Sequence, residues 1–88
     1  MLHNTTLEKM EGLIRKTFIT KLCISGREID LNLIDTIDVN TDYISIHLNN
    51  NENIKIQDIM LVLYNLSETI ITIFGNDGDV MDITLSLK

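Results

Sequence analysis

Apolar residues recur at two different periods along this chain, and the change of period divides it. In "TTLEKMEGLIRKT" (residues 5–17), Leu7, Met10, Leu13 and Ile14, with Phe18 just beyond, stand three and four positions apart. That spacing makes one face of a helix. Thr5 and Glu8 have the spacing of a capping box, in which the hydroxyl accepts from an unpaired helical amide and the carboxylate reaches back. Glu11 and Arg15 are one turn apart, so their charges support the same helix. The spacing predicts a helix over 5–17, with Gly12 as a weak position on its polar side.

From residue 18 the period falls to two. "FITKLCIS" sets Phe18, Thr20, Leu22 and Ile24 against Ile19, Lys21, Cys23 and Ser25, and Ser25-Gly26 follows as a turn. "EIDLNLI" puts Ile29, Leu31 and Leu33 on one face and Glu28, Asp30 and Asn32 on the other, the mark of a half-buried antiparallel strand. The phase slips at Ile34-Asp35 and resumes with Ile37 and Val39, which predicts a bulge or sharp bend. After an Asn40-Thr41-Asp42 turn, "YISIHL" points Ile44, Ile46 and Leu48 inward and Tyr43, Ser45 and His47 outward. "NNNEN" (49–53) reads as a polar hairpin loop, because Asn tolerates the left-handed backbone, and "IKI" begins the return strand. In "QDIMLVLYNLSE" (57–68) a helix groups Ile59, Leu63 and Leu66, while a buried strand explains 59–63 equally well; period does not decide between them. We read a strand after a turn at Gln57-Asp58. "TIITIF" and "VMDITLSL" are two more strands joined by "GNDGD", the second with Met81, Ile83, Leu85 and Leu87 on one face.

These elements predict an α+β fold in a single domain, 1–88. A helix over 5–17 precedes a small antiparallel barrel or curved sheet over 18–63, and a C-terminal hairpin follows over 69–88. The order of helix, strand, "SG" turn, long bent strand, "YISIHL", "NNNEN" and "IKIQDI" resembles the layout of Sm-like and related SH3-like barrels across about residues 6–62. The resemblance implies a barrel and a ring or other oligomer. It departs from that family where Sm-like proteins present basic and polar loop residues to RNA, since this chain has Asp38, Asp42 and Glu52 there. The hairpin over 69–88 has no counterpart in it.

Composition narrows the classes. With 88 residues, 44% hydrophobic and 23% charged, the chain has room for one modest core and the balance of a globular domain. The longest unbroken apolar run, 59–64, is far short of the about 20 residues that cross a membrane. "MLHNTTLEKMEG" has no basic start followed by a long apolar stretch, so no signal peptide is expected. One cysteine, Cys23, cannot form an internal disulfide, which fits a reducing compartment. The absence of Pro and Trp and the abundance of Ile and Asn fit an AT-rich genome, such as that of a low-GC bacterium or its phage. The expected location is the cytoplasm of the producing or host bacterium.

Charge is unevenly placed. Residues 1–27 hold Lys9, Arg15, Lys16, Lys21 and Arg27 against Glu8 and Glu11, a net of +3, while 28–88 hold Lys55 and Lys88 against eleven acids, a net of −9. An acidic body repels phosphate backbones, which argues against nucleic-acid binding unless the basic N-terminal element acts alone.

Candidate chemistry is sparse. Cys23 with His3 or His47 is the only combination for a thiol–imidazole pair, and Cys23 sits in a strand between Leu22 and Ile24, where it reads as packing. One Cys and two separated His are too few for zinc. "FGNDGDVMDI" (74–83) clusters Asp77, Asp79 and Asp82, but it departs from a calcium loop: its fifth and sixth positions are Met81 and Asp82, its twelfth is Lys88, and its flanks alternate as strands. Asp-Gly reads instead as a hairpin turn. The four glycines are scattered, so no phosphate loop is present. Neither a catalytic residue, a metal nor a cofactor is expected.

The best surface feature is the outward row Tyr43, Ser45 and His47, an aromatic, a hydroxyl and an imidazole spaced by two. With the acids Asp38, Asp42 and Glu52 it forms the expected binding set. The chain is therefore expected to be a non-enzymatic binding protein, working through its surface or between subunits of a homo-oligomer. Two mechanisms fit: a phage or mobile-element factor blocking a basic site on a host protein, or sequestration of a small ligand. An Sm-like nucleic-acid module using Lys9, Arg15, Lys16 and Lys21 is the alternative, and a structural subunit of a larger assembly is a third.

Overall fold

The computed structural model describes residues 2–87. In chain order its elements are β1 (Leu2–Thr5), a single helical turn α1 (Leu7–Met10), β2 (Ile19–Ile24), β3 (Arg27–Glu28), a 3-10 turn Leu31–Leu33, β4 (Ile34–Val39), β5 (Ile44–Leu48), β6 (Asn53–Ile56), β7 (Ile59–Asn65), β8 (Ile70–Gly75) and β9 (Val80–Leu85). They form a six-stranded sheet in the order β1-β7-β8-β9-β2-β3 and a three-stranded meander β4-β5-β6, and every pair is antiparallel. The fold is thus nearly all sheet, and neither sheet closes into a barrel. This corrects both the α+β class and the barrel. No helix among the described residues is long and apolar enough to cross a membrane.

The expected helix over 5–17 shrinks to one turn for identifiable reasons. Thr5 is taken into β1, opposite Val62 of β7, so it cannot cap. Thr6 caps instead, its hydroxyl accepting from the Lys9 amide at 3.2 Å. Past Met10 the backbone continues in separate turns, with the Ile14 amide donating to Met10 (3.0 Å) and the Ile19 amide to Arg15 (3.1 Å). Those turns still bury Leu7 and Ile14, with Met10, Leu13 and Phe18 packed against the core. A continuous thirteen-residue helix would run about 20 Å straight, whereas the turns wrap the same apolar set around a molecule only 23 Å thick. Short isolated helices are marginal, so core packing prevails over helical spacing here.

The chain reaches the meander through a corner. Past Glu28 the expected strand gives way to the 3-10 turn Leu31–Leu33 capped by Asp30, whose carboxylate accepts from the Asn32 amide at 3.0 Å. The ladder between β4 and β5 then shifts register between Ile34 and Thr36, at the phase slip visible in the sequence. A second shift between Ile19 and Lys21 lets Ile19 and Leu22 both face the core. Ser25-Gly26 makes a two-residue hairpin between β2 and β3, with φ of 49° and 84°. A type I′ turn demands positive φ at both positions, and glycine supplies it without strain. The segment over 57–66 is strand β7.

The hairpin β8–β9 lies at the centre of the larger sheet, flanked by β7 and β2. Its Ile71, Ile73, Met81 and Ile83 have no exposed surface. They pack in one cluster with Ile44, Ile46 and Ile56 of the meander, so the two sheets share a single core. Each such side chain contributes about 1.5–3 kcal/mol by leaving water. Leu87, expected on the inner face with Leu85, lies past the end of β9 and is exposed.

Candidate functional site

With one face of β4-β5-β6 in the core, its other face is polar. Alternation along β5 turns Ile44, Ile46 and Leu48 inward, which leaves Tyr43, Ser45 and His47 outward. Register adds neighbours from both flanking strands: Asp38 and Lys55 lie opposite Ser45, and Thr36 and Asn53 lie opposite His47. Of the six residues expected to bind, the structure brings Asp38, Tyr43 and His47 onto this one surface, whereas Ser45, expected exposed beside them, shares their face of the sheet but is buried. Glu52 stands at its edge, in a depression shared with Asp35, Thr36, His47 and Asn53. Asp42 lies in the β4–β5 turn, where its carbonyl accepts from the Ile59 amide (3.2 Å) and ties the meander to β7.

Three side-chain contacts lace the surface, and none joins residues directly opposite each other. His47 Nε2–H donates to Asp38 Oδ2 at 2.8 Å. The Ser45 hydroxyl donates to Asn53 Oδ1 at 2.6 Å. The Lys55 ammonium sits 4.3 Å from the centre of the Tyr43 ring, a cation–π contact. Each is a diagonal pair across neighbouring strands, a span that long or aromatic side chains can bridge. Together they hold Tyr43 and His47 in place while leaving them half exposed.

Ser45, His47 and Asp38 are the residue types of a hydrolytic triad, but their connections differ. A nucleophilic serine passes its proton to the imidazole. Here Ser45 is 3% exposed and its proton points to Asn53, while Nε2 of His47 is directed at Asp38. The arrangement offers fixed donors, acceptors and an aromatic ring, which is the equipment of a recognition surface.

Sequence reasoning missed Lys55, Asn53 and Thr36. All three belong to strands paired with β5, and their alternation with Ile54, Ile56 and Ile37 was the available signal. The basic residues of the nucleic-acid reading are not gathered on one cleft. Arg15 lines a groove with Glu8, Glu11 and Asp38, whereas Lys21 lies on the far face of the six-stranded sheet beside Thr84 and Asp82. Cys23 is free and half-buried on that far face. Asp77 and Asp79 sit in the β8–β9 turn, while Asp82 accepts from the Thr72 hydroxyl at 2.8 Å. His3 lies in β1 opposite Tyr64. Comparison with protein families, with curated proteins and with solved structures found no match.

Proposed function

We propose that this chain is a non-catalytic binding protein that engages another protein through the open face of its three-stranded sheet. The observation that carries the reading is the set of three diagonal pairs. They organise an aromatic ring, an imidazole–carboxylate pair and a lysine on the outward face of the sheet, where Tyr43 and His47 are half exposed and Asp38 and Lys55 exposed. Preorganised aromatic and charged groups lower the ordering cost of association. The clefts bordering the face are open depressions, which favours a macromolecule over a sequestered small ligand. Asp35, Asp38, Asp42 and Glu52 around it favour a basic site on the partner, which the chain then occludes.

Affinity capture with purified chain tests this. A protein retained by the wild type is expected to be lost with Tyr43→Ala and with Asp38, Asp42 and Glu52 all changed to Lys. It is expected to be kept with Lys21→Ala, on the far sheet face. Retention by the triple charge reversal would sink the acidic-surface reading.

A further inference from the structure

The two sheets end in four edge strands: β1 with four residues, β3 with two, β6 with four and β4 with six. The longest is the one beside the polar face. β5 pairs with one side of β4, and among the described residues no hydrogen bond reaches its other side over 35–39. Unpaired strand edges are templates for another strand.

This edge opens into a groove of about 550 Å³ lined by Glu8, Glu11, Gly12, Ile14, Arg15, Ile37, Asp38 and Val39. Its two sides differ in chemistry. Ile37 and Val39 face the core side, next to Ile14, and are only half covered. Thr36 and Asp38 face the polar side. Above the groove, Gly12 has nothing within 4 Å of where a Cβ would stand, so the space is free of protein. Arg15 is the one cation among the lining residues, against Glu8, Glu11 and Asp38.

We infer that the free edge of β4 takes up an extended, basic segment of a partner protein as a fourth strand. The inference rests on the reading of this sheet as a binding surface and names what part of the partner it takes. Strand addition supplies main-chain hydrogen bonds, while alternate side chains of the guest supply specificity. Because side chains alternate, every second residue of the guest falls over Ile37, Val39 and Ile14 and is apolar. The residues between fall beside Asp38 and Asp35 and are basic. A second copy of this chain is disfavoured at the same edge. Antiparallel pairing of β4 with itself about Asp38 sets the two Asp38 carboxylates directly opposite each other, and like charges across a ladder repel.

The test is a titration of the isotope-labelled full chain, followed by amide NMR shifts, with three capped peptides. One alternates lysine and valine. The second has the same composition with the lysines and valines in separate blocks. The third is the alternating peptide methylated at every second backbone amide. The alternating peptide is expected to bind saturably and to move the amides of 35–39 and 8–15. The other two are expected to bind at least about tenfold more weakly, because they lose the period or the main-chain donors. Gly12→Leu, which fills the groove at an unstrained position, is expected to weaken the alternating peptide similarly while thermal unfolding shows the fold retained. Lys21→Ala, on the far face of the six-stranded sheet, is expected to leave it unchanged. Equal binding of all three peptides overturns the inference, since charge alone then suffices. So does the absence of binding, or shifts confined to Tyr43, Ser45 and Lys55. In that last case the polar-face function stands and only the edge is excluded, whereas loss of capture by the face with peptide binding intact excludes the reverse.

Discussion

His47 reaches past its own cross-strand partner, Thr36, to place Nε2 2.8 Å from the carboxylate of Asp38. The contact ties the central strand of the meander to its free edge. Both side chains stay well exposed, at 38% and 59%. Exposed pairs of this kind contribute little to stability. Asp38→Asn and His47→Gln are each expected to change the unfolding free energy by less than about 1 kcal/mol, measured by urea titration, while both weaken partner capture. A larger stability loss would make the pair a structural anchor rather than part of a recognition surface.

Tyr43 and Lys55 face each other at 4.3 Å. A double-mutant cycle with Tyr43→Leu and Lys55→Met is expected to give a coupling of about 0.5–1 kcal/mol. Additive single effects would mean that Lys55 does not rest on the ring in solution.

Gly75 ends β8 where it passes the last strand of the meander. A Cβ there would stand 2.8 Å from Cγ2 of Ile56, itself 1% exposed. Gly75→Ala is expected to cost about 1–3 kcal/mol, which lowers Tm by roughly 4–8 °C for each kcal/mol. Adding Ile56→Leu, which removes the branched methyl, is expected to recover part of that loss. Gly12→Ala has open space and no positive φ, so its expected effect is neutral to about 1 kcal/mol stabilising. Equal effects of the two glycine changes would refute the close approach of the sheets.

Ile46 lies in the small sheet and Ile83 in the large one, both fully buried in the shared cluster. Ile46→Ala and Ile83→Ala are each expected to cost about 2–5 kcal/mol and to lower one common transition. Tyr43 and Tyr64 report on different sheets, so tyrosine fluorescence and far-ultraviolet circular dichroism should trace coincident curves. Separate transitions would mean that the meander folds independently.

The candidate surface was partly legible because strand alternation is a local property. Residues two apart on a pleat share a face whatever lies beside them. Tyr43, Ser45 and His47 therefore emerge from β5 alone. Lys55 and Asn53 join them only through the register of β5 with β6, which no local pattern encodes.

The same distinction runs through the fold. By itself the sequence determined which side chains leave water, from Leu7 and Ile14 to Ile44, Ile46, Met81 and Ile83, and where the chain reverses, as at Ser25-Gly26 and Asp58. These follow from the apolar period and from turn residues that tolerate positive φ. Tertiary structure decided which strand lies beside which. It drew β2 to β9, moved the C-terminal hairpin from an expected appendage to the centre of the larger sheet, and cut a thirteen-residue helical pattern to one turn. Pairing and helix length are settled by the sum of contacts across the whole core, where residues distant in sequence compete for the same buried space.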